Sequence, residues 1–145
     1  MLEESAISPG MLADPMAARQ LDQVRRHWEY LGTDVDRSHE MYHDDAVLEF
    51  PQSGERFEGL ATFKEWRSQY PGEVRYRIRR ISARADLVVV ECSLSYDGGP
   101  WQFGVQLLDF RGDKVARERI YVMAGWEAPE WRAPWRADTP ADPPE

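Results

Sequence analysis

Cysteine is nearly absent from this sequence, because Cys92 is the only one among its 145 residues. A single thiol cannot form an internal disulfide, and it is compatible with the reducing cytoplasm. Long apolar runs are missing as well, since no stretch approaches the roughly 18 consecutive apolar residues of a membrane helix. Residues 1–13 also lack the basic start and apolar core of a secretory signal. We therefore expect a cytoplasmic protein with no membrane partner.

Positive charge is in deficit, since the formal net charge is −8. Nucleic-acid-binding domains normally carry a basic field, so we expect no nucleic-acid partner. The one basic stretch places Arg75, Arg77 and Arg79 on the same side of a predicted strand, which is typical of a solvated sheet face. Apolar residues make up 42% of the chain. At this length that is enough for one domain with a packed core.

Apolar residues at helical spacing dominate the first half of the chain. Asp14 and Pro15 are typical of an N-cap followed by the first turn of a helix. Leu21, Val24 and Trp28 then continue the helical period. We predict helices over 15–31, 36–43 and 60–70, a strand over 46–50, and a loop over 52–59.

From residue 74 onwards the apolar period changes to two, which is typical of strands. We predict four of them, over 74–83, 86–96, 101–110 and 114–124. The short connections that contain Gly and Asp favour antiparallel hairpins. Helices followed by a strand meander predict an α+β fold, with helices on one face of a curved antiparallel sheet.

The composition changes towards the two ends of the chain. The predicted organisation is a flexible arm over 1–13, one domain over 14–136 and a disordered tail over 137–145. Half of the six tryptophans lie close together, at Trp126, Trp131 and Trp135. So much aromatic surface is costly to leave in water, so we expect these side chains to dock on the domain or on a neighbouring subunit.

Apolar side chains occupy both faces of the strand predicted over 86–96. Val88 and Val90 alternate with Leu87 and Val89, so neither face is polar. One face is needed for the core of the domain. We therefore expect the outer face to pack on a second subunit, which predicts a homodimer.

Three segments carry a resemblance to a known family. They are MYHDDAVLEFP at 41–51, GDKVARERIYV at 112–122 and APEWRAPW at 128–135. In this order they resemble the nuclear transport factor 2-like superfamily, most closely its SnoaL-like branch. The resemblance implies a cone-shaped, curved antiparallel or mixed sheet wrapped around the N-terminal helices, with a deep pocket closed by the first helix. Members include ketosteroid isomerase, polyketide cyclases, limonene epoxide hydrolase, scytalone dehydratase and binding-only proteins, so the fold does not settle the function.

The resemblance also assigns positions in the pocket. Where ketosteroid isomerase has its aspartate base this chain has Phe50, and its partner acid falls at Gln106. The catalytic tyrosine of the first helix falls at His27. Epoxide hydrolases and cyclases carry a carboxylate on the final strand, where this chain reads Arg-Ile-Tyr at 119–121. Glu118 shares a strand face with Ile120, so it is expected to project towards the pocket mouth.

These positions predict acid–base groups beside an apolar wall. His27 is the candidate base or acid, because imidazole titrates near neutral pH. Glu118 would orient His27 or carry the proton itself, and Gln106 would steady an enolate or carbonyl oxygen. The residues predicted to contact the ligand are Trp28, Phe50, Trp66 and Tyr70. Together they predict a small, mostly apolar ligand and no cofactor.

Two classes of function are consistent with this pattern. One is a cofactor-independent isomerase, cyclase or dehydratase that uses His27. The other is a non-catalytic ligand-binding or dimerisation module, in which His27 only edges the core and Glu118 pairs with Arg117 or Arg119 at the surface. The missing family carboxylates favour the second class, whereas His27 and Glu118 favour the first.

Residues 39–43 read HEMYH and match the zinc-peptidase pattern H-E-x-x-H. In that pattern two histidines one helical turn apart bind zinc and the glutamate activates water. The helix predicted here is barely two turns long, and His27 is the only other histidine. We therefore interpret His39, Glu40 and His43 as a chance match and predict no metal, which leaves a zinc hydrolase as a distant third alternative.

Overall fold

The computed structural model describes residues 14–142. Its helices are α1 (Pro15–Tyr30), α2 (Val35–Ser38) and α3 (Leu60–Ser68). Its strands are β1 (Tyr42–Phe50), β2 (Glu55–Glu58), β3 (Val74–Arg84), β4 (Leu87–Tyr96), β5 (Gln102–Arg111) and β6 (Lys114–Met123). A 3-10 helix follows at Glu130–Trp135. The predicted α+β fold is confirmed.

Helix α1 is fixed at both ends by local signals and in its middle by a tertiary contact. The Asp14 side chain accepts a hydrogen bond from the Met16 N–H at 2.9 Å, as an N-cap should. After the helix, Gly32 adopts a φ of +86°, a backbone conformation that residues with a Cβ rarely adopt. Gln20 donates from Nε2 to Asp86 Oδ1 at 3.0 Å and to the Gly112 carbonyl at 2.9 Å. These bonds hold the helix against two hairpin turns of the sheet.

The six strands form one mixed sheet in the order β2-β1-β6-β5-β4-β3. Strands β3 to β6 are the predicted antiparallel meander. Strand β1 pairs with β6 in parallel and with β2 antiparallel. Because β1 comes before α3 and the meander in sequence but lies beside the last strand, the sheet brings Phe50 close to the end of β6.

The second predicted helix is wrong in extent, because α2 ends at Ser38 and β1 begins at Tyr42. Tyr42, Ala46 and Leu48 are buried, although the exposed Asp44 interrupts the alternation between Tyr42 and Ala46. Parallel pairing of Tyr42 with Val115 draws this segment into the sheet. A tertiary contact thus overrides the local helical pattern.

Strand β2 was missed because its sequence resembles a loop. Three of its four residues are exposed, so there is little apolar alternation to detect. It pairs antiparallel with β1, from Val47 opposite Glu58 to Phe50 opposite Glu55. An exposed, charged edge strand of this kind also discourages pairing with other chains.

The core lies between the inner face of the sheet and the helices. Leu21 and Val24 of α1, Phe63 of α3, and Val90 and Leu108 of the meander are all fully or almost fully buried. No helix of residues 14–142 is long and apolar enough to span a bilayer.

The tryptophans near the C-terminal end do not dock on the domain. Trp126, Trp131 and Trp135 are 82%, 72% and 78% exposed. The expectation that they dock on their own domain is therefore wrong for the single chain. A neighbouring subunit as their partner stays a prediction. The predicted arm over 1–13 lies outside the described residues, and the predicted division into arm, domain and tail stays a prediction.

Candidate functional site

A cavity of about 570 Å³ opens between the inner sheet face, the C-terminal half of α1 and helix α3. The structure brings every predicted site residue to this cavity. They are His27, Trp28, Phe50, Trp66, Tyr70, Gln106 and Glu118. Their roles in binding or catalysis stay predictions, but their convergence on one cavity does not depend on any assumed role.

The walls of the cavity are aromatic and aliphatic. Trp28 packs edge-on against Tyr76, with ring centroids 5.1 Å apart, and Phe50 lies 5.8 Å from Trp66. Tyr70 is 42% exposed, and its hydroxyl donates to Asp97 at 3.0 Å. Trp28, Phe50 and Trp66 therefore form walls, as does Tyr76. Tyr70 lies at the rim.

His27 is 3% exposed, and its Nδ1 lies 2.5 Å from the carbonyl oxygen of Ser38. A carbonyl can only accept, so Nδ1 carries the hydrogen and Nε2 keeps a lone pair. No group in residues 14–142 forms a hydrogen bond to Nε2. Burial, followed by the positive charge of Arg67, lowers the pKa of His27 to about 3. The ring is therefore neutral at physiological pH.

Glu118 is buried beside the cavity rather than paired at the surface. It is 2% exposed, and its Oε1 accepts the Tyr42 hydroxyl at 2.5 Å. The surface pairing weighed for it is wrong, because Arg117 binds Glu49 and Arg119 binds Asp109. Alternation along β6 explains this result, since both arginines point to the opposite sheet face from Glu118.

Arg67 is the functional candidate that the sequence analysis missed. It lines the cavity from α3 and donates from Nη1 to the Tyr42 hydroxyl at 3.0 Å and to His39 Nε2 at 3.2 Å. Its Nη2 lies 3.5 Å from Glu118 Oε1. The signal was present in the sequence, because Arg67 follows Phe63 by four residues and so shares the buried face of the helix.

Tyr42 connects the two charged side chains. Burial and the adjacent Glu118 carboxylate raise the pKa of the Tyr42 phenol far above its usual value. The phenol therefore stays protonated, donating to Glu118 while it accepts from Arg67. Each partner fixes the orientation of the next, so the floor of the cavity is a rigid polar network.

The HEMYH segment has a different role from the zinc pattern it matches. His39 follows α2 and His43 lies on β1, so the two do not share a helix face. His39 has Nδ1 bonded to the Val35 carbonyl at 2.7 Å and Nε2 bonded to Arg67. Burial, followed by Arg67, lowers its pKa to about 4. Within residues 14–142 no group of three or more His, Cys, Asp or Glu side chains is arranged to hold a metal.

Gln106 lies on β5 at the cavity floor and is almost fully buried. Its Oε1 is 3.5 Å from the Cys92 sulfur, which donates to it. This contact fixes the amide with Nε2 free of any hydrogen bond in the described part of the chain. Burial raises the pKa of Cys92 to about 11, so the thiol is a core group rather than a nucleophile.

Comparison with known proteins agrees with this architecture. The SnoaL-like domain family matches residues 24–118, so the chain belongs to that family. A search of curated proteins finds no match. An NTF-2 like protein of unknown function from Burkholderia xenovorans LB400 is 32% identical, with a TM-score of 0.80, over 88% of this chain and 100% of that one.

Two further solved structures share the fold at lower identity. A proposed ketosteroid isomerase from Kribbella flavida DSM 17836 is 23% identical, with a TM-score of 0.77, over 86% of this chain and 93% of that one. An LEH-like epoxide hydrolase from M. tuberculosis is 20% identical, with a TM-score of 0.63, over 72% and 83% of the two chains. The nuclear transport factor 2-like fold is thereby confirmed.

Proposed function

We infer that the cavity binds a small, mostly apolar molecule and that the protein carries out cofactor-independent acid–base chemistry on it. The observation that carries this inference is the state of His27. Its Nδ1 is held by Ser38, its Nε2 lone pair has no protein partner within residues 14–142, and apolar walls surround it. A neutral, oriented imidazole with a free lone pair meets the geometric requirement for a general base, although its pKa of about 3 lies below the near-neutral value best suited to that role.

The low pKa of His27 restricts the chemistry. A base with a pKa of about 3 accepts protons only from groups that the site itself makes acidic. A carbon next to a carbonyl is such a group when a donor stabilises the resulting enolate oxygen. Gln106 offers a donor of that kind at the floor. Isomerisation, aldol cyclisation and the dehydration of a β-hydroxy ketone can each begin with this proton transfer.

The aspartate-based mechanism of ketosteroid isomerase does not fit this chain. Phe50 stands at the position of its base, and it packs against Trp66 as part of the wall. A non-catalytic binding protein is the alternative, and one observation favours it. Among residues 14–142, Glu118 is the only carboxylate that lines the cavity, and it is already engaged by Tyr42 and Arg67.

Binding is tested by native mass spectrometry of the freshly purified protein, before and after incubation with a cell extract. We expect a small organic adduct on the wild type and its loss in Val122→Trp, which narrows the cavity. Tyr121→Trp is the matched control, because the neighbouring side chain points to the outer face. An adduct that persists in Val122→Trp would place the ligand elsewhere, and recovery of the ligand unchanged would favour the binding module.

A homodimer through the outer sheet face also belongs to this proposal. A second, mostly apolar groove is lined by Phe103, Val105, Met123 and Trp126, with Arg79 and Glu91 also in its lining. Val105→Lys is expected to shift sedimentation from dimer to monomer, whereas Val35→Lys at the cavity side is not. A wild type that is monomeric at roughly tens of micromolar would contradict the dimer, because interfaces of standard size have dissociation constants in the micromolar range or below. The cytoplasmic location likewise stays a prediction.

A further inference from the structure

We propose that Arg67 recognises a carbonyl oxygen of the ligand, and that the cavity selects a neutral carbonyl compound over a carboxylate of the same shape. This inference rests on the proposed function of the cavity and adds the chemical class of its ligand. Its basis is that Arg67 has N–H donors without a full set of partners, whereas the charges of Arg67 and Glu118 at the cavity floor are paired with each other.

Arg67 has donors to spare. Its Nη1 uses both hydrogens, on the Tyr42 hydroxyl and on His39 Nε2. A guanidinium has five N–H donors, and the remaining three belong to Nε and Nη2. Within residues 14–142 the only ion-pair or hydrogen-bond acceptor that contacts them is Glu118 Oε1, which is 3.5 Å from Nη2. Since the side chain lines the cavity, these donors are available to a ligand.

The charge at the floor is balanced. Arg67 and Glu118 are the only lysine, arginine, aspartate or glutamate side chains that line the cavity in the described part of the chain, and they pair with each other. His27 and His39 are neutral. A ligand carboxylate would lose its hydration and meet the Glu118 carboxylate, without an unpaired cation to compensate. A neutral carbonyl gains the Arg67 hydrogen bond without that cost.

The same donors suit the proposed proton transfer. When His27 Nε2 takes the proton from the carbon next to the carbonyl, the C–H pair forms a carbon–carbon double bond. The π pair of the carbonyl then moves to its oxygen, which becomes an enolate. Arg67 is already fixed by three partners, so it can stabilise this charge without rearranging. The proton resides on His27 until it is returned to the product or to a leaving group.

Three probes of matched shape test the inference by isothermal titration calorimetry, namely 2-acetylnaphthalene, 2-ethylnaphthalene and 2-naphthoate. We expect the wild type to bind the ketone about 10-fold more tightly than the other two, the gain typical of a hydrogen bond from a charged donor. Arg67→Met is expected to remove the preference for the ketone over 2-ethylnaphthalene and leave the affinity for 2-ethylnaphthalene unchanged. Arg117→Met, on the outer sheet face, is the matched control and should behave as the wild type.

An infrared measurement separates a direct contact from a structural role. The carbonyl stretch of bound 2-acetylnaphthalene should lie at lower frequency in the wild type than in Arg67→Met. If Arg67→Met does not fold, the carbonyl stretch of the ketone bound to the wild type can instead be compared with that of the ketone in an apolar solvent. Equal affinity for ketone and hydrocarbon, or an unshifted carbonyl stretch, would overturn the role of Arg67 alone. Tighter binding of 2-naphthoate would overturn the neutral-ligand class, and no binding of any probe would overturn the cavity function itself.

Discussion

Lowering the pH should remove stability through His27. The pKa of this residue falls from 6.5 in the unfolded chain to about 3 in the folded protein. Between these values the unfolded chain binds a proton that the folded protein does not, so stability is complete above pH 6.5 and declines as the pH falls. Each pH unit is worth about 1.4 kcal/mol. His27 alone should therefore cost about 2 kcal/mol of unfolding free energy between pH 7 and pH 5.

The assay is urea denaturation of the wild type and His27→Asn at both pH values. The asparagine amide is expected to keep the hydrogen bond to the Ser38 carbonyl while it cannot titrate. His39 changes stability in the same direction, but it is present in both proteins and cancels in the difference. The gap between the two proteins should change by about 2 kcal/mol from pH 7 to pH 5. Parallel loss of stability in both proteins would refute the assignment of a neutral, buried His27.

Three further substitutions test contacts made with residues that line the cavity. A Cβ at Gly104 would lie 2.7 Å from the Cys92 sulfur, so Gly104→Ala should lower the free energy of unfolding by about 1–3 kcal/mol. Adding Cys92→Ala in the same chain should recover part of that loss. Denaturation curves in which the double variant is no more stable than Gly104→Ala alone would contradict this contact. Tyr42→Phe leaves Glu118 and Arg67 without their shared hydroxyl, which should cost about 1–3 kcal/mol. Thermal unfolding of Tyr42→Phe at the wild-type temperature would show that the network contributes little.

The helices and the meander were predictable because their signals are local. Leu21 and Val24 mark the buried stripe of α1, and Asp14 marks its start. The β3–β6 hairpins likewise follow from alternation and turn residues within each segment. By contrast, β2 consists of exposed residues and depends on pairing with β1, and the start of β1 at Tyr42 depends on pairing with β6.

The sequence predicted most residues that line the site but not the hydrogen bonds and ion pair that join them. A family resemblance placed His27 and Gln106 at the cavity, and strand alternation placed Glu118 on the inner face. Arg67 was missed because a charged residue at the end of an amphipathic helix is usually solvated. Only the structure shows that Tyr42 and Glu118 receive it in the interior. The same network explains why His39 is buried although it lies in a segment that matches a zinc motif.

The central claim is that His27 takes a proton from a carbonyl compound held in the cavity. It is tested most directly by following deuterium exchange into the acetyl group of 2-acetylnaphthalene in heavy water by NMR. The wild type should accelerate the exchange, and His27→Asn should bind the ketone with similar affinity yet lose about 100-fold or more of the acceleration. A wild type that binds the ketone without accelerating exchange, or a His27→Asn variant that is equally fast, would contradict the claim and leave a non-catalytic binding protein.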